Sequence, residues 1–85
     1  MNSRTRLLAD VLRAEVAGLD IQEDVEHRRI LICAMSKDGA LYELGEVSIA
    51  AALQDPDFFR YAVNKIKFAR VKMIVQAHEI EEAQG

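Results

Sequence analysis

The amino-acid sequence predicts an α+β fold: an N-terminal helix, a β-hairpin, a short helix and a long C-terminal helix, in one small domain that assembles as a homo-oligomer. Three observations carry this expectation. Apolar residues recur at helical spacing near the N-terminus and stop at Gly18. Two apolar stretches flank the dipeptide Asp38-Gly39, a strong hairpin signal. From Pro56 to about Glu82 the chain reads as one helix with apolar residues along two opposite sides.

The first element spans about residues 3–17. Ser3 is placed to cap it, and Leu7, Leu8, Val11, Leu12, Ala14 and Val16 follow helical spacing until Gly18 ends the run. Residues 20–27 are polar, with only Ile21 and Val25 apolar, and read as a loop or a single helical turn.

Two strands follow, at about 28–36 and 40–47. A two-residue type I′ loop at Asp38-Gly39 would place Met35 opposite Tyr42, Cys33 opposite Leu44 and Leu31 opposite Glu46. The first strand is apolar on both faces, as in a strand covered on both sides. Two strands alone are not stable. Either helices sandwich the hairpin, or it joins a hairpin of another subunit.

Ser48 can cap a short, alanine-rich helix at about 48–53. Asp55-Pro56-Asp57 then starts the long helix, about 56–82. Asp55 caps it, proline suits the first helical position, and Asp57 complements the positive end of the dipole. At 100° per residue, Phe59, Ala62, Val63, Ile66, Ala69, Met73, Ala77 and Ile80 form one broad face. Tyr61, Phe68, Val71 and Val75 form a second stripe on the opposite side, the expected oligomer interface. A helix of this length extends about 40 Å, whereas a domain of this size is near 30 Å across. The helix should therefore overhang its own domain, where an uncovered apolar strip calls for another chain.

With 85 residues there is room for one domain and one core. A hydrophobic share of 51% with 29% charged residues places the chain among globular rather than disordered proteins. No run of 18 uncharged apolar residues exists, so no membrane partner is expected. The N-terminal segment also lacks the long apolar core of a signal peptide. Cys33 is alone and cannot form an internal disulfide; among apolar neighbours it reads as a core residue in a reducing compartment, and a cytoplasmic protein is expected.

The charge is uneven. Arg60, Lys65, Lys67, Arg70 and Lys72 lie between Phe58 and Gln76 with no acid among them. Since the chain carries a net −3, all other residues together carry −8. Acidic and basic segments are expected to face each other within or between chains, or the cations form an anion-binding surface. Arg70 falls near the centre of the broad apolar face. Its guanidinium is expected to reach a carboxylate such as Glu43 or Glu46, or to offer a donor fork to a phosphate or a partner carboxylate.

No catalytic residues, metal ligands or cofactor are expected. Glu23 and His27, and His78 and Glu82, stand four apart, as two ligands on one helix face would. Such pairs are common in charged segments. There is no glycine-rich phosphate loop, and Cys33 has no activating base in the sequence. What remains is binding. The leading expectation is a non-enzymatic protein–protein interaction protein, a regulator, adaptor or inhibitor of the phage or accessory-gene type. It would contact its partner through Arg60, Tyr61, Lys65, Lys67, Phe68, Arg70 and Lys72. The alternative is a nucleic-acid or nucleotide-binding protein using residues 58–72, where aromatics alternate with cations. The acidic pI of about 5.3 weighs against it.

Overall fold

The computed structural model describes residues 3–84, with side-chain surroundings over 4–80. Helix α1 (Ser3–Glu15) leads into a three-stranded antiparallel sheet of β1 (Asp20–Asp24), β2 (Arg29–Met35) and β3 (Leu41–Ser48) in the order β1-β2-β3. Two helices follow, α2 (Ile49–Gln54) and α3 (Pro56–Gln84). The helices pack on the sheet face that carries Ile21, Ile30, Ile32 and Val47. Leu12, Ile30 and Ile32 are fully buried there with Ala9, Val16, Val63 and Ile66.

Local signals set most of the boundaries. The cap expected from Ser3 rests on a side chain outside those described. Helix α1 stops at Glu15, short of the expected Ala17, and Gly18 at φ +89° makes the turn that follows. Ser48 caps α2 by accepting a hydrogen bond from Ala51 N–H, and Asp55 accepts one from Asp57 N–H at the start of α3.

The segment expected to be a loop or a helical turn is instead the strand β1, paired with β2 from Asp20↔Cys33 to Asp24↔Arg29. Asp and Glu are poor strand formers, so propensity pointed away from it. Docking decides the matter: Ile21 is buried in the core, and Arg13 of α1 donates to the Ile21 carbonyl at 2.8 Å. The third strand also removes the need for a hairpin from another subunit.

The turn between β2 and β3 differs as well. Gly39 N–H donates to Ser36 O and Ser36 N–H to Ala40 O, while only Gly39 in this loop has positive φ. This is a three-residue loop, a type I turn closed by glycine, rather than a two-residue type I′ turn. It shifts the register by one, so Met35 faces Leu41 and Cys33 faces Glu43. The irregularity at Ile32/Cys33 then restores the expected pairing, and Leu31 does face Glu46.

β2 is not covered by helices on both sides. Ile30, Ile32 and Ala34 are sealed beneath them, whereas on the opposite face Leu31 is half-buried and Met35 exposed.

Candidate functional site

Two surfaces carry unusual combinations of side chains. The first is the outer side of α3. Its inner side holds Val63, Ile66 and Ala77 buried, with Phe59, Ala62 and Met73 packed against the core. The opposite stripe stays open: Tyr61 is 65% exposed, Phe68 91%, Val71 62% and Val75 48%. Arg60 and Lys67 flank this line on one side, Lys65 and Lys72 on the other, as helical spacing dictates.

The cations have different duties. Lys67 donates to Glu15 at 3.2 Å and ties α3 to α1. Arg70 leaves the group altogether. Its Nη1 donates to the Ala17 carbonyl at 3.1 Å, just beyond the end of α1, rather than to Glu43 or Glu46. A cation there also suits the negative end of the α1 dipole. Arg60, Lys65 and Lys72 form no ion pair with a described residue.

The second surface joins the edge of β3 to α3. A groove of about 320 Å³ lies between them, with Ile32, Gly45 and Met73 at its floor and Phe58, Tyr61 and Lys65 along α3. Gly45 lies in its lining, where a Cβ would stand in ordinary contact with the Met73 methyl at 3.4 Å and a larger side chain would extend into the groove. The sequence reading missed this site. Its one signal was a glycine inside a strand, which marks a bulge or a close approach.

The sheet face turned away from the helices is acidic. Arg29 sits in it with three carboxylates: Asp24 at 2.9 Å, Glu46 at 2.9 Å and Glu43 at 3.3 Å. Strand residues 43 and 46 would point to opposite faces without an irregularity, and the β3 bulge turns both to Arg29. Hydrogen bonds to Glu46 and then Asp24 push the guanidinium pKa up. The bond from Arg29, and next that from His27, hold the Asp24 carboxyl below its ordinary value. Cys33 lies on this face too. Burial, then the charges of Asp20 and Glu43, push its thiol up, which leaves it a poor nucleophile at neutral pH.

The spaced acid–histidine pairs do not make ligand sets. Glu23 faces Arg13 of α1 while His27 turns back to Asp24, and Glu82 lies outside the described side chains. Among the described residues no three His, Cys, Asp or Glu side chains gather to hold a metal. No described helix is long and apolar enough to cross a membrane. No protein-family model matches the chain, and neither curated proteins nor solved structures give a match.

Proposed function

We infer that this chain is a non-enzymatic protein–protein interaction protein, a small regulator, adaptor or inhibitor, which works as a homo-oligomer. One observation carries the reading: in a single copy α3 leaves Tyr61, Phe68, Val71 and Val75 uncovered in one line, with Phe68 91% exposed. A continuous apolar strip with charged margins is the usual composition of an interface core and rim. Antiparallel pairing of α3 with α3 of a second copy would oppose the two dipoles and bring Arg60, in the first turns, toward Glu79 near the other end. Apart from Tyr61, which borders both, the groove beside β3 then remains for a different protein. The lone buried thiol of Cys33 supports work in a reducing compartment such as the cytoplasm.

Binding to nucleic acid is the weaker reading. Of the five cations in the stretch, Lys67 and Arg70 are engaged within the fold, and the face opposite is acidic. Sedimentation velocity at micromolar concentration tests the proposal. The protein should run as a dimer or a larger even-numbered particle, and Phe68→Glu should reduce it to monomer without lowering the thermal midpoint of the monomer. A wild-type protein that stays monomeric overturns self-association through α3.

A further inference from the structure

We propose that the outer edge of β3, with the groove beside it, takes up an extended segment of another protein as a fourth strand, and that this segment alternates apolar with basic residues. The inference rests on the reading of the chain as a protein-binding module, and names the occupant of one site.

Backbone geometry comes first. The sheet order leaves β3 at an edge. Ser36 N–H bonds to Ala40 O at one end of the β2–β3 ladder, and Ile49 N–H to Arg28 O at the other. Alternation from these two ends directs the peptide groups of Tyr42, Gly45 and Val47 toward β2. Those of Leu41, Glu43, Glu46 and Ser48 therefore point outward, in two pairs separated by the bulge, and the pair beside the groove offers donors and acceptors to another strand. Exposed edges are commonly shielded by a proline, a lysine, a bulge or an overlying element. β3 has neither proline nor lysine, its bulge lies between Glu43 and Gly45 and leaves residues 45–48 regular, and α3 borders that edge with a groove instead of closing it.

Side chains then select the strand. In an added antiparallel strand, every second residue would turn to the helix side and enter the groove beneath Phe58 and Tyr61, whose lining is largely apolar. In a strand that follows residues 45–48 along the groove, the intervening residues would turn to the open face beside Glu46, with Glu43 one register out of step across the bulge. Arg29 balances both carboxylates with one guanidinium, which it also shares with Asp24. Basic residues at these positions complete the charge pattern. The same acids argue against a second copy, because β3 paired with itself would set Glu43 and Glu46 against their own counterparts.

The test uses the whole protein, isotope-labelled for amide exchange, with short synthetic peptides as probes. One alternates valine with lysine, one alternates valine with glutamate, and one has the first composition in scrambled order. The valine–lysine peptide should slow exchange at Glu46 N–H about tenfold or more and leave Tyr42 and Val47, already bonded to β2, unchanged. The double variant Glu43→Lys, Glu46→Lys should reverse the preference toward the glutamate peptide. Gly45→Val, which fills the groove, should abolish protection by either peptide while keeping the circular dichroism of the parent. Equal protection by the scrambled peptide, or binding that leaves the edge amides unaffected, overturns the proposal. So does strong protection of Glu46 in the protein alone, which would mean that a second copy holds the edge. None of these outcomes depends on Phe68, so failure here is distinct from failure of self-association through α3.

Discussion

Arg29 shows how one side chain organises a surface. Three carboxylates around a single guanidinium leave the open sheet face acidic yet ordered, and the bond from Arg29 lowers the proton affinity of Asp24. The carboxyl is held below its ordinary 3.8 in the fold, so the unfolded chain binds its proton more readily than the native one. Its contribution is intact above 3.8 and is lost as the pH falls through the lower, native value. Urea midpoints should therefore drop for the wild type as the pH is taken below about 4. Arg29→Met should show a shallower acid limb; an equally steep limb in the variant would sink this role. Arg70 shows a context the sequence hides: it stands in an apolar stripe because a helix end, 53 residues away, offers a carbonyl.

Among elements, the β2–β3 hairpin is the one whose details matter most for the candidate site. Its loop demands one residue at positive φ, and Gly39 at +90° supplies it. A Cβ at this position would meet nothing within 4 Å, so Gly39→Ala tests backbone conformation alone. The expected cost is about 1 kcal/mol, read as a lower urea midpoint with an unchanged slope. A neutral substitution would show that the loop accepts another turn. The loop and the bulge act together: the first shifts the register by one residue, the second shifts it back, and between them the open face receives Glu43 and Glu46.

At the scale of the molecule, α3 sets the longest dimension. Twenty-nine helical residues, at about 1.5 Å each, match the 41 Å axis of a particle that measures 25 by 18 Å across. The free overhang expected at its far end is smaller than supposed, since the inner side is covered as far as Ala77, which is fully buried. What stays uncovered is the outer side, along much of its length. The core beneath is small, so individual residues weigh heavily. Ile32→Ala, at a position with no exposure and contacts to helices and strands, should cost about 2–5 kcal/mol. That is a large share of the roughly 5–15 kcal/mol that holds such domains together, and the variant should melt far below the wild type or fail to fold. A small change in midpoint would mean that this core is not the centre of stability.

By itself the sequence determined the elements whose signals are local. Gly18 turns the chain after α1, Ser48 and Asp55 cap the last two helices, Asp38-Gly39 marks a hairpin, and 3.6-residue spacing divides α3 into an inner and an outer side. Each of these depends on residues a few positions apart, where backbone sterics and hydrogen bonding leave few choices. Tertiary structure decided what depends on distant partners. It made a strand of the acidic segment Asp20–Asp24, because Ile21 could enter a core and Arg13 could reach its carbonyl. It chose the register through a loop and a bulge, took Arg70 to Ala17, and opened the groove over Gly45. Pairing and burial between remote segments outweigh intrinsic preference, and neither is written in the spacing of neighbours.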